Sequence, residues 1–130
     1  MFRFVSTALA ICLIAGCSQS TAPQLIAVSG VVSLDGKPLP NATVMFQPES
    51  GRPSLATTDQ SGRYQLLYTR SVPGAIPGKH IVNIRTRAED ESGREVTKEF
   101  LPPRYHDQTE LTADVSKENK VINFDLTSGK

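Results

Sequence analysis

The chain has no tryptophan, and histidine and cysteine occur twice each. His80 and His106 belong to no H-E-x-x-H or H-x-H arrangement, so the spacing that marks a histidine-rich metal site is missing. There is no G-x-S-x-G, the turn that presents a nucleophilic serine in many hydrolases. Charge of one sign is also missing. Lysine and arginine number 14 against 13 acidic residues, a net +1, with no basic patch and no acidic tail. That excludes the electrostatic footprint of a nucleic-acid binder, and no nucleic-acid partner is expected. Long apolar runs are absent except for residues 5–14 near the start. Ten residues of helix reach about 15 Å, half of a ~30 Å hydrocarbon core, so this run is too short for a transmembrane anchor.

That one run carries the clearest signal in the chain. Met1 and Arg3 give a short positive start, residues 5–14 an apolar segment, and Ala15-Gly16 a pair of small residues directly before Cys17. An ordinary secretory signal wants a small residue at the third position before the cut, where this chain has the branched Ile14. The pattern resembles a bacterial lipoprotein signal, which implies removal of residues 1–16 and lipidation of Cys17. Leucine is commoner where Ile14 stands. The competing reading places Cys12 and Cys17 on a buried N-terminal helix of a cytosolic protein. Residues 18–24, Ser-Gln-Ser-Thr-Ala-Pro-Gln, read as a tether rather than a continuing helix. Loss of Cys12 with the leader would leave Cys17 as the sole cysteine, so no internal disulfide could staple the fold. The expected organisation is a signal peptide over 1–16, a lipidated cysteine and tether over 17–24, and one domain over 25–130.

Beyond the tether, apolar residues recur every second position. Ile26, Val28, Gly30, Val32 and Leu34 alternate with Ala27, Ser29, Val31 and Ser33, the pattern of a half-buried strand. Similar runs occupy residues 43–48, 54–58, 63–69, 79–87, 110–116 and 121–127, with 54–58 expected at a sheet edge. In 79–87, His80, Val82, Ile84 and Thr86 share the inward face. Asp35-Gly36, Asp59-Gln60-Ser61-Gly62, Pro73-Gly74 and Pro77-Gly78 punctuate the runs as turns. Residues 88–98 are charged and contain Ser92-Gly93, which suits an exposed hairpin tip or mobile loop. Seven short strands with turns between them, and no amphipathic helix, predict an all-β, antiparallel, seven-stranded sandwich.

Three segments carry a family resemblance. Ser29-Gly30-Val31-Val32 followed by Asp35-Gly36-Lys37-Pro38-Leu39-Pro40-Asn41-Ala42-Thr43-Val44 resembles the opening of carboxypeptidase-regulatory-like domains. Thr58-Asp59-Gln60-Ser61-Gly62-Arg63-Tyr64-Gln65-Leu66 is similar to their turn and strand. Residues 72–84 resemble their next strand, with His80 where tyrosine is more usual. Residues 101–107, 111–115 and 123–126 are similar to the tail of small bacterial lipoproteins built from one such domain. The match covers most of residues 26–127 and implies a transthyretin-like (prealbumin-like) sandwich. It implies no peptidase activity, because in that family this domain is an accessory piece beside the peptidase.

The resemblance also defines the chemical alternatives. Intradiol dioxygenases share the fold class and hold iron with two tyrosines and two histidines, and Tyr64, Tyr68, Tyr105, His80 and His106 supply those residue types without that spacing. The transthyretin-like hydrolases of 5-hydroxyisourate end in Tyr-Arg-Gly-Ser, whereas this chain ends Thr127-Ser128-Gly129-Lys130. Asp59 and Gly62 fit an Asx-type turn without a calcium ion. The expectation is therefore a non-enzymatic protein with no catalytic or metal-ligating residue and no cofactor. It would be anchored through Cys17 on the periplasmic or outer side of a membrane, with the outer membrane favoured because Ser18, not aspartate, follows the cysteine. Its partners would be that membrane and a protein, peptide or glycan. The small metalloenzyme using Tyr and His residues is the alternative. Arg104, Tyr105, His106 and Asp107, in a loop stiffened by Pro102 and Pro103, are the candidate recognition surface. The competing role for Tyr105 is a plug at the end of the sandwich.

Overall fold

The computed structural model describes residues 24–129. The expected signal peptide, Cys17 and all of the tether except Gln24 lie outside the described residues. The described chain is almost entirely strand and turn, with one 3-10 turn, and folds as a β-sandwich.

Twelve strand segments are present among the described residues. They are β1 (Ser29–Leu34), β2 (Lys37–Pro38), β3 (Thr43–Pro48), β4 (Ser54–Thr57), β5 (Arg63–Gln65), β6 (Leu67–Thr69), β7 (Val72–Pro73), β8 (Gly78–Arg85), β9 (Ala88–Glu89), β10 (Glu95–Thr97), β11 (Thr112–Val115) and β12 (Phe124–Leu126). The seven expected strands fall on β1, β3, β4, the β5–β6 pair, β8, β11 and β12. Beyond these, two-residue segments β2 and β7 extend the sheets, and β9 and β10 form the hairpin that the charged stretch suggested.

One layer has the order β12-β1-β2, with β5 also on β1, and the other has the order β11-β8-β3-β4-β6-β7. Two expectations are corrected here. The sandwich is not wholly antiparallel, because β1 and β12 run parallel, with Val32 opposite Phe124 and Leu34 opposite Leu126. Nor is residues 54–57 an edge: β4 lies between β3 and β6, and β7 and β11 are the outer strands. Alternation reports which face of a strand is buried but not how many neighbours it has.

Residues 63–69 join the layers. Arg63–Gln65 pairs with β1, and after Leu66 the chain pairs with β4 in the other sheet. At that corner the Leu66 N–H donates to the Val28 carbonyl at 2.9 Å. A strand that changes sheet at a bend closes one side of a sandwich.

The inward faces meet around Phe46, which is fully buried and has the rings of Tyr64, Phe124 and His80 at centroid distances of 6.4, 6.0 and 5.5 Å. Tilted and edge-on contacts of this kind suit the aromatic quadrupole. Val28, Val32, Val44, Leu66, Val82, Ile84 and Leu126 complete the core. Thr58, buried beneath the proline-rich loop, donates its hydroxyl to the Leu39 carbonyl at 2.6 Å and accepts the Ala42 N–H at 2.9 Å. It thereby satisfies a segment in which two prolines cannot pair.

Two glycines are required by contact. A Cβ on Gly30 would stand 1.8 Å from the Ile122 carbonyl oxygen, and one on Gly62, at φ +75, would stand 2.4 Å from the Val32 oxygen. Gly62 closes the turn that Asp59 opens, where the Asp59 carboxylate accepts the N–H groups of Ser61 and Arg63.

Candidate functional site

Residues 99–107 form a tightly braced loop against the end of β8. The Glu99 carboxylate accepts hydrogen bonds from the backbone N–H and hydroxyl of Thr86, and from the N–H groups of Arg87 and Leu101. Partial burial works to raise its pKa, but these donors outweigh it and hold the carboxyl below the usual glutamate value.

The 3-10 turn Pro103–Tyr105 follows. Its Tyr105 hydroxyl accepts the Thr127 N–H at 2.9 Å, while Arg104 stacks over the Tyr105 ring at 4.9 Å and donates to the Thr127 carbonyl at 2.8 Å. Burial opposes ionisation of Tyr105, yet the Thr127 donors and the Arg104 charge leave its pKa below the ordinary tyrosine value. His106 holds the Leu101 carbonyl through Nε2 at 3.0 Å, with its Nδ1 3.6 Å from the Asp107 carboxylate. Asp107 in turn pairs with Arg85 at 2.9 Å.

The expected recognition surface is therefore altered in kind. Arg104, Tyr105, His106 and Asp107 do sit together, but the aromatic residues are 8 % and 7 % exposed, leaving Asp107 exposed and Arg104 half-buried. Tyr105 seals the end of the sandwich because the ring is worth more inside and its hydroxyl finds a backbone partner there.

The Tyr and His groups considered for metal binding do not converge. Tyr64 donates its hydroxyl to the Ile122 carbonyl, and burial pushes its pKa up, away from the tyrosinate that iron would need. His80 Nε2 holds the Ile76 carbonyl at 2.6 Å, with its ring 5.5 Å from that of Phe46. Tyr105 and His106 are committed to the loop just described. Tyr68, half-buried, lies beneath Arg52, 5.9 Å from the ring centroid.

What the fold leaves open is the outer face of the six-stranded sheet. Thr43, Met45 and Gln47 of β3, Leu55 and Thr57 of β4, Leu67 and Thr69 of β6, and Ile81 and Asn83 of β8 point outward, opposite the buried set. Register aligns Leu67 with Leu55, Leu55 with Met45, and Gln47 with Ile81. Lys79 and Arg85 share the outward side of β8 with Ile81 and Asn83, while Ile81, Leu55 and Leu67 are 54 %, 47 % and 39 % exposed. Glu49, Lys79 and Asp114 join Gln47, Ile81 and Thr112 around a groove of about 440 Å³ at one end of β8, and Arg85, opposite Thr43, carries charge at its other end. The outer face of the other sheet carries Arg63 opposite Val31 and Asp125 opposite Ser33.

Sequence reasoning followed the inward residues and passed over this face. The available signal was apolar residues at both parities of one strand, as in Met45 beside Phe46 and Ile81 beside Val82.

No protein-family model matches this chain, and no curated protein does. Two solved structures are similar in shape. The major pilin subunit of Bacillus cereus aligns at TM-score 0.49 and 9% identity, over 81% of this chain and 30% of that one. A 9R-lipoxygenase from Cyanothece aligns at TM-score 0.37 and 17% identity, over 82% and 17%. The chain thus spans less than a third of either protein. Alignments this loose carry no inference about function.

Proposed function

We propose that this chain is a lipid-anchored, non-enzymatic β-sandwich of carboxypeptidase-regulatory-like type that works by contact at the cell envelope. Cys17 would carry the lipid, on the periplasmic or outer side of a membrane, with the outer membrane favoured. The observation that carries the reading is the use made of the reactive side chains. Tyr64, His80, Tyr105, His106 and Glu99 each hold backbone groups in place, while the broad outer sheet face is left open. Groups committed to backbone partners hold a frame together, whereas catalysis needs a group free to meet substrate.

One acyl chain binds a membrane marginally, and two or more hold it stably. A processed lipoprotein carries two or three, so no further anchor is required. The test is Cys17→Ala in the full chain, followed by membrane fractionation and mass analysis of the wild type. Release of the variant, with acyl mass on wild-type Cys17, supports the reading. Equal membrane binding by the variant and an unmodified Cys17 overturns it.

A further inference from the structure

The outer face of the six-stranded sheet and the start of the domain meet at one sheet edge. Ile26 and Ala75 exchange backbone hydrogen bonds, both at 2.9 Å, so the described chain enters immediately beyond Val72–Pro73 of β7. Strand β7 is the outer strand of the six-stranded sheet, and its Val72, 40 % exposed, pairs with Thr69; beside it an apolar row runs from Leu67 through Leu55 to Met45, which faces Asn83, two residues from Ile81 on β8.

Four strand spacings separate β7 from β8, about 19 Å. From Cys17 to Gln24 the chain reaches at most about 25 Å. A lipid on Cys17 would keep this edge within about 25 Å of the bilayer. Arg52, between β3 and β4, and Arg70, between β6 and β7, are exposed and make no ion pair among the described residues. Arginine suits the headgroup region, where an apolar stem and a charged tip are both accommodated. The opposite outer face, with Arg63 and Asp125, is suited to water.

We propose that the outer face of the six-stranded sheet, from Val72 through Leu67 and Leu55 to Ile81, rests on the lipid surface to which the chain is anchored. The inference builds on the anchoring at Cys17 proposed above. It makes the sandwich a domain held flat at the bilayer, with the charged sheet turned outward towards other molecules.

The absence of native tryptophan supplies the test, since one introduced indole is the only one in the protein. Leu67→Trp and Ile81→Trp report the proposed face, and Val31→Trp reports the opposite sheet. Each full-length variant is expressed with its leader, purified and reconstituted into protein-free phosphatidylcholine vesicles with and without brominated acyl chains. The expected result is a blue shift and loss of emission by brominated lipid for Leu67→Trp and Ile81→Trp, with Val31→Trp unchanged and open to iodide. Iodide quenching of all three to the same extent, in protein that carries lipid and floats with the vesicles, overturns the face alone. Wild-type protein that neither carries acyl mass nor floats overturns the anchoring and the face together. If Leu67→Trp fails to fold, Ile81→Trp, at the more exposed position, decides the question.

Discussion

Glu99 and Thr86 are joined three times over. Both carboxylate oxygens accept the Thr86 N–H, at 3.1 and 3.2 Å, and one of them also accepts the Thr86 hydroxyl at 2.9 Å. Thr86 is buried, and its hydroxyl further accepts the Phe100 N–H at 3.0 Å. This pair fastens the loop that leads to Tyr105 onto the end of β8.

The pair sets a pH dependence. The folded-state pKa of Glu99 lies below its ordinary 4.5, so its contribution is complete above that value and is lost as pH falls through the lower folded value. Glu99→Gln removes that dependence. Urea unfolding from neutral pH downward should show wild type more stable than the variant at neutral pH, with the gap closing below pH 4.5. A gap independent of pH would mean that the ionised form of Glu99 is not what holds Thr86.

Gly30→Ala should destabilise by about 3 kcal/mol or more, because the added methyl meets the Ile122 oxygen and the Tyr64 ring, and backbone cannot step aside cheaply. Equilibrium denaturation measures the loss. A near-neutral result would show that β1 and the segment before β12 are further apart than this contact requires.

Tyr64→Phe keeps the ring against Phe46 and Phe124 but deprives the Ile122 carbonyl of its donor. The expected cost is about 1–3 kcal/mol, that of an unsatisfied buried acceptor. Thr58→Val, similar in shape, should cost about 2 kcal/mol for the same reason, since it strands Leu39 O and Ala42 N. Thermal melts of both variants check these values, and losses well under those figures would place water at the sites.

Leu55→Ser, on the open face, should change stability by no more than about 0.5 kcal/mol, since its side chain is half in water already. A large loss in the isolated protein would show that the face is covered by something that contributes to folding.

Metal analysis of the purified full chain separates the two functional readings. Iron and zinc well below one per chain are expected, because Tyr64 and His80 are turned to the separate carbonyls of Ile122 and Ile76. Stoichiometric metal would favour the metalloenzyme.

Much of the strand plan was legible in the sequence because side-chain direction alternates along every strand. His80, Val82, Ile84 and Thr86 are all buried, as their parity predicts, and Asp59 and Gly62 form the expected turn. The parallel pairing of β1 with β12 was not legible, since partners 92 residues apart leave no mark on local alternation. The site was legible only in part. Pro102 and Pro103 did mark an ordered loop, but whether Tyr105 and His106 faced in or out depended on Thr127 and Leu101 lying where their polar atoms could reach them.

The sequence by itself determined the all-β class, the inward residues and most turns, because periodicity and glycine or proline placement act over a few residues. Only the tertiary structure decided which strands became neighbours, that Tyr64 passes beneath Gly30, and that Leu67, Leu55 and Met45 line up across the outer face of one sheet. Those relations depend on register between distant segments, and register is set when the two inward faces pack together around Phe46.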